Sequence, residues 1–398
     1  MSLKIATFAL LSRLTTALLA ITSSLHGSEY DSSTTALLLS SAKTPWDATL
    51  EPFLTPFVRW DAIYMLGIAE RGYIYEQEFA FFPGLPLAMR VGADAAGYFV
   101  NGAVGRRTML VISGLFFTNL SFVWAAVALY RLTLLLLADK HLATSTAILF
   151  CVCPAGVFMS CLYTESPFAF LTFAGMLQME RGRHWVAALA WGLAGLFRAN
   201  GILHAGFFAW FLVVRRGAWR NVNLVRNMAK TVLFTIVVFA PFLGFQYYGY
   251  SVFCAPEAAT HRTWCSKPLP FIYSFVQEEY WNNGFLRYYR LSQLPNFLLA
   301  APTFALTAHA LSSYFPAPRP PTHSPLLAPR LLPYMLLWLA LALLCATTMH
   351  VQIVVRLFTS VPGVFWWAAG RGGRGVVSWF MGWSAVGTVL FANFYPPA

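Results

Sequence analysis

Long apolar runs without alternation constrain this chain more than any other feature. They fall at approximately 5–25, 110–137, 142–160, 166–179, 184–199, 201–214, 231–250, 294–315, 331–349, 353–370 and 376–393. A helix needs about 20 apolar residues to cross about 30 Å of hydrocarbon, and only helices and closed barrels satisfy their own backbone there. Barrel strands alternate with period two, and these runs do not. The expected fold is therefore all-α, a polytopic transmembrane bundle of about eleven spans, several short enough to tilt or stop inside the bilayer. Composition agrees: 11% of residues are charged and 58% hydrophobic, where a soluble domain carries roughly a quarter charged. No period of 20–50 residues repeats, so residues 1–398 read as one integral membrane domain with no solenoid.

The net charge of +12 would suit nucleic acid, but the distribution of basic residues argues for membrane orientation instead. The first run has Arg13 in its core and no small-x-small site after it, so it reads as a retained span rather than a cleaved signal peptide. The N-terminus is then cytosolic, and residues 26–109 form a long luminal section. Counting spans onward places Ala138–His141, Glu180–Arg183, Arg215–Lys230, Pro316–Arg330 and Arg371–Gly375 in the cytosol. Arg215–Lys230 fixes the scheme best, with five basic residues and no acid. Residues 251–292 form a second luminal loop, and the Pro-rich 316–330 segment reads as a disordered cytosolic linker.

The luminal section 26–109 holds the stretch around which the chain is organised, Phe57–Leu87, polar where its surroundings are apolar. It carries Arg59, Asp61, Glu70, Arg71, Glu76 and Glu78 among aromatics and stops at Pro83-Gly84-Leu85-Pro86. Residues 61–72 suit a helix lying along the membrane, with Trp60, Ile63, Tyr64, Gly67 and Ile68 on one face. Phe79–Val100 is apolar but interrupted by Pro83, Pro86, Arg90 and Asp94, and reads as a second surface-lying or re-entrant piece.

The same topology brings other polar residues to the luminal side: Tyr163-Thr164-Glu165, Arg198-Ala199-Asn200-Gly201, and Met349-His350-Val351-Gln352 with Arg356. Ionisable groups at membrane depth cost roughly 2.5–3.5 kcal/mol each, so they mark either a site or a structural pair. One or two carboxylates facing several cations at a water–lipid boundary suit transfer from a lipid-phosphate donor. A carboxylate takes the proton of an attacking hydroxyl, and Arg and His stabilise charge on the departing phosphate. Plainer readings compete at each position. Asp61 suits a helix start or a partner for Arg59, Glu165 a helix-start acid, Arg198 and Arg356 snorkelling or structural pairs, and His350 simple packing. No metal-ligand spacing, Walker loop or G-x-G-x-x-G occurs, and Cys151-x-Cys153 lies in a span where packing explains it. Cys254 and Cys265 share the second luminal loop, where an oxidising lumen favours a disulfide. The Glu278–Gly284 segment of that loop suits either sugar binding or an interfacial belt. Asn119-Leu120-Ser121 matches a glycosylation sequon, but inside a span no glycan attaches.

Taken as a set, these residues resemble the GPI mannosyltransferase II (PIG-V) family. The resemblance rests on R-W-D-A, I-A-E-R-G-Y-x-Y-E and F-A-F-F-P-G-x-P-L within Phe57–Leu87, on C-x-x-P-A-x-V-F at Cys151–Phe158, Y-x-E at Tyr163–Glu165, E-R-G-R at Glu180–Arg183 and R-A-N-G at Arg198–Gly201. It continues through F-Q-Y-Y-x-Y at Phe245–Tyr250, P-x-I-Y-S-F-V-Q-E-E-Y-W-N-N-G-F-L-R-Y-Y at Pro270–Tyr289, P-N-F-L-L-A-A-P at Pro295–Pro302 and M-H-V-Q at Met349–Gln352.

That resemblance implies a GT-C-type glycosyltransferase of the endoplasmic reticulum membrane, multi-pass, with a luminal site around the first large loop. It implies α1,6 transfer of the second mannose onto the glycosylphosphatidylinositol (GPI) precursor from dolichyl-phosphate mannose, with the acid of the W-D pair at Asp61. The expected reaction is inverting and metal-independent, with no cofactor and Asp61 as general base. Arg59, Trp60, Glu165, Arg198, Asn200, His350, Gln352 and Arg356 are the expected substrate-binding residues. The expected partners are the two lipids and the membrane, not nucleic acid; whether a small accessory membrane subunit takes part is left open. The rival readings are a polyprenyl-lipid transporter or flippase, against which the absence of related halves argues, and a different dolichyl-phosphate-sugar transferase.

Overall fold

The computed structural model describes residues 1–30, 44–100, 102–215, 223–255, 262–315 and 324–397, and no strand occurs among them. In chain order the helices used below are α1 (Ser2–His26), α2 (Pro45–Leu54), α3 (Asp61–Arg71), α4 (Gly84–Val100), α5 (Arg106–Leu137), α6 (Lys140–Cys151), α7 (Glu165–Glu180) and α8 (His184–Ala194). There follow α9 (Ala199–Val214), which changes from 3-10 to α to π winding along its length, α10 (Leu224–Phe253), α11 (Ile272–Glu279), α12 (Leu294–Tyr314) and α13 (Leu332–Thr348). The chain closes with α14 (Val351–Ser360), α15 (Pro362–Arg371) and α16 (Gly373–Ala392).

Six of these helices, α1, α5, α10, α12 (from Leu291), α13 (from Pro329) and α16, are long and apolar enough to cross a bilayer, and α14 with α15 makes a seventh if the bent pair is one span. Of the other predicted runs, 166–179 and 201–214 are helical throughout but short, and the rest are helical for only part of their length. The 142–160 run is helical to Cys151 and then turns irregularly around Pro154, which has no N–H to donate. The 353–370 run bends by 90° between Ser360 and Pro362.

Irregular backbone inside apolar surroundings must find donors elsewhere, and the break after Cys151 finds them in Arg13 of α1. Its Nη1 donates to Gly156 O at 2.6 Å and Ser160 Oγ at 3.1 Å, and Nη2 to Cys151 O at 2.9 Å. The guanidinium lies 3.9 Å from the Phe122 ring centre. Asn119 of α5 adds a bond from Nδ2 to Ser160 O at 3.0 Å. The arginine that interrupts the first apolar run is therefore a strut for the third.

α3 forms as the sequence predicts and stops at Gly72, whose φ of 86° favours a residue without Cβ. Its buried face is Ala62, Met65, Leu66, Ile68 and Ala69; of the expected stripe Trp60, Ile63, Tyr64, Gly67 and Ile68, only Ile68 belongs to it. Both faces are apolar enough for periodicity to fit either. The small and aliphatic side chains go against α4 and α5, while Tyr64 stays partly exposed and stacks on Phe81. Arg90 of α4 closes the C-terminus of α3, its guanidinium donating to Ala69 O and, at 3.2 Å, to Ile68 O. α4 itself begins at Gly84, whose N–H donates to Leu196 O at 2.8 Å. A Cβ there would sit 2.8 Å from that oxygen and 2.9 Å from the Phe197 ring, so glycine in the Pro-Gly-x-Pro stop permits this close crossing.

Over one end of the bundle, the segment after α3 and the chain around α11 build a cap with its own apolar centre: Phe79, Phe82, Phe242, Phe245, Trp264, Ile272 and Val276. Two acids of the polar stretch hold it. Glu76 accepts from Trp264 Nε1 at 2.9 Å and from the Tyr280 hydroxyl at 3.3 Å. Glu78 pairs with Arg71 and accepts from the Ile74 and Tyr75 amides at 2.8 and 3.0 Å. Burial pushes the Glu78 carboxyl up, but the Arg71 guanidinium and the two amides outweigh it and hold the group below its ordinary value. Cys254 and Cys265 are joined in a disulfide in the same cap. Residues 316–323 of the Pro-rich linker lie outside the described residues. Its remainder is ordered where disorder was expected: Pro325–Leu327 and Pro329–Leu331 form 3-10 turns that bury Leu326 and Leu331.

Candidate active site

Beneath the cap lies a cavity of about 330 Å³, open to the outside, with Asp61, Tyr163, Arg198, Asn200, His350 and Arg356 in its wall. Most of them come from points where a helix starts or breaks, and Arg356 lies within α14. Asp61 is the first residue of α3, Glu165 the first of α7, Arg198 the extended residue between α8 and α9, and His350 the link from α13 to α14. Ionisable side chains are costly along an apolar helix, which favours their collection at the ends.

Arg356 organises the centre. Its Nη1 donates to Asp61 Oδ2 at 3.1 Å and its Nε to Glu165 Oε1 at 2.8 Å. Its guanidinium carbon sits 4.7 and 4.8 Å from the Phe158 and Tyr163 ring centres. Arg198 Nη1 lies 2.8 Å from the same Glu165 oxygen. Glu165 thus braces two cations while being wholly buried. Asp61 keeps a third of its side chain exposed, and its backbone N–H donates to the Tyr163 hydroxyl at 3.1 Å. That bond satisfies one of the amides a helix start leaves open.

His350 lines the cavity with a defined tautomer. Nε2 lies 2.8 Å from Trp281 O, and a carbonyl only accepts, so Nε2 carries the proton. The ring stacks on Tyr288 at 4.5 Å.

Several expected site residues are elsewhere. Arg59 is wholly buried, pairs with Glu29, and lies 5.4 Å from the Phe394 ring centre; its partner is not Asp61. Trp60 packs on Phe394 and has φ 55°, a left-handed value rare for a bulky residue. It turns the chain sharply into α3 and so aims Asp61, and it is not part of the cavity wall. Gln352 is not in the cavity wall. Glu165 was expected to meet substrate hydroxyls; it lies behind the wall, where it holds Arg198 and Arg356. Conversely, the cap contributes Tyr273, Gln277, Trp281 and Asn283 to the wall. Trp281 and Asn283 lie in the segment already suited to sugar binding; Tyr273 and Gln277 sit just upstream, in the same Pro270–Tyr289 block, where nothing but that block marked them.

Fold and cavity together define a polytopic membrane protein whose ionisable groups converge on one pocket at an end of its helix bundle. The mannosyltransferase (PIG-V) family model matches residues 3–398, and the chain belongs to that family: it is a membrane-embedded mannosyltransferase. It is 37% identical over 371 residues to the GPI alpha-1,6-mannosyltransferase 2 of Mus musculus, covering 81% of this chain and 74% of the mouse protein. It is 32% identical over 374 residues to the GPI mannosyltransferase 2 of Yarrowia lipolytica, covering 93% and 92%. Among solved structures, the oligosaccharyltransferase of Archaeoglobus fulgidus aligns with TM-score 0.45 at 12% identity, over 96% of this chain and 55% of that one. ArnT from Cupriavidus metallidurans, bound to undecaprenyl phosphate, aligns with TM-score 0.44 at 17% identity, over 82% and 60%.

Proposed function

We propose that this enzyme adds the second mannose, in α1,6 linkage, to the GPI precursor, with dolichyl-phosphate mannose as donor and the site on the luminal side of the endoplasmic reticulum membrane. The observation that carries the reading is the partly exposed Asp61 carboxylate in the cavity wall, held at one oxygen by Arg356, with Arg198 in the same wall. The relatives' names supply the acceptor and linkage.

In this reading Asp61 takes the proton of the acceptor mannose hydroxyl as that oxygen attacks C1 of the donor mannose. The bond from C1 to the phosphate oxygen breaks, and the dolichyl phosphate leaves with the electron pair. One displacement on a β-linked donor gives the α product. Arg198 and Arg356 take up the charge of the departing phosphate, so the reading assigns that task to side chains and to no metal. His350 lines the same wall, its Nε2 held by the Trp281 carbonyl. The luminal placement draws on the basic residues predicted for the other side and on α7. Its fifteen residue steps put Glu165 about 22 Å from Glu180, where Arg215 and the Tyr334 hydroxyl meet Glu180.

The test is direct. Purified enzyme in liposomes receives dolichyl-phosphate mannose and a GPI precursor carrying one mannose. Formation of a lipid with a second, α1,6-linked mannose is the expected result. Transfer to a different acceptor alone, or movement of lipid without a new glycosidic bond, contradicts it.

A further inference from the structure

We infer that the paired carboxamides of Gln277 and Asn283 form the part of this cavity that reads a sugar hydroxyl. The inference rests on the proposed function above and extends it to the cap. Both residues line the cavity. Asn283 Nδ2 donates to Gln277 Oε1 at 2.6 Å, and this bond turns the Gln277 amide so that its NH2 faces away from Asn283. That NH2 has no protein partner among the described residues and is not closed off from solvent. Asn283 Oδ1 has none either, but it is closed off from solvent. The pair therefore offers the two N–H donors of Gln277 at the wall, where the oxygen of a sugar hydroxyl can accept them.

The backbone holds the pair in place. Asn283 N donates to Gln277 O at 2.9 Å, closing the loop from the end of α11. Asn282 takes φ 52° to allow that turn. Gly284 N then donates to Thr348 O at 3.1 Å, tying the loop to the end of α13. Trp281 contributes an aromatic face to the same wall and fixes His350 through its carbonyl. An aromatic face beside fixed amides suits an uncharged sugar ring. The guanidiniums of Arg198 and Arg356 suit the phosphate. The cavity thus has separate walls for the two halves of a lipid-phosphate sugar reaction.

The experiment measures transfer by the full-length enzyme in liposomes with donors and acceptors that each lack one non-reacting sugar hydroxyl. Wild type is expected to lose roughly tenfold in kcat/KM on one of these substrates, the effect of one hydrogen bond. Gln277→Ala is expected to lose a similar factor with the complete substrate, chiefly in KM, and to show no further loss on that deoxy substrate. It keeps the wild-type penalty on the others. A responding donor or a responding acceptor identifies which sugar is read. Asn283→Ala, which frees the Gln277 side chain to rotate, is expected to blunt the same discrimination, and it carries the test if Gln277→Ala fails to fold. If both folded variants discriminate among the deoxy substrates as wild type does, the inference is wrong while the transfer reaction stands. If wild type transfers no mannose, the proposed function fails first.

Discussion

Replacing Arg356 by lysine separates charge from shape at the centre of the site. The arginine makes two bonds in different directions, from Nη1 to Asp61 at 3.1 Å and from Nε to Glu165 at 2.8 Å. Lysine carries the same charge on a single nitrogen and cannot present the planar fork that spans both carboxylates. Glu165 keeps Arg198 at 2.8 Å, so the buried acid is not left alone and the fold should survive. What is lost is one charge-assisted hydrogen bond, about 1.5–3 kcal/mol, together with the guanidinium's contact with the Phe158 and Tyr163 rings. If that bond holds Asp61 in its working position, kcat falls roughly 10- to 100-fold. The assay is mannosyl transfer by purified enzyme in liposomes, with thermal unfolding in detergent measured alongside. Arg356→Lys with kcat within about twofold of wild type would show that bridging Asp61 and Glu165 does not matter for the chemistry.

Gly84→Ala should cost about 1–3 kcal/mol of stability, because its Cβ would meet the Leu196 carbonyl at 2.8 Å. It should also slow transfer by displacing Phe197 from the cavity wall, seen as a lower Tm and a higher KM. Glu78→Gln should loosen the cap, measured as faster protease cleavage between residues 72 and 83. The native Glu78 carboxyl sits below its ordinary value, so its contribution is complete above the unfolded carboxylate pKa and is lost as pH falls through the lower folded value. Acid should therefore loosen the wild-type cap, and the variant should show less of this acid sensitivity.

The helical, membrane-spanning character was legible because long apolar runs leave no other solution. The number of full spans was not. Hydropathy does not register that Pro154 ends a helix early or that Pro362 follows a right-angle bend, and both stretches remain apolar throughout. The role of Arg13 was not legible in the first run because its partners, the carbonyls of Cys151 and Gly156, are free only once the third run breaks. At the site, sequence order brought Asp61, Arg198, Asn200, His350 and Arg356 to one side of the membrane, and the structure places them around one cavity. Arg59 and Trp60 lie outside the cavity wall although they adjoin Asp61, because adjacency in sequence carries no information about direction. A helix start with a left-handed Trp60 sends its neighbours into the core. Gln277 and Asn283 come from the cap, whose fold depends on long-range bonds from Glu76 to Trp264 and Tyr280 that no local pattern announces.

The central claim is that the Asp61 carboxylate removes the proton from the attacking hydroxyl. Asp61→Asn keeps an oxygen for Arg356 and an N–H for the Tyr163 hydroxyl, so folding and lipid binding should persist while the base is gone. Transfer of mannose from dolichyl-phosphate mannose to the GPI precursor in liposomes should fall about 10²–10⁴-fold with little change in Tm. Near-normal transfer by the folded variant would contradict the account.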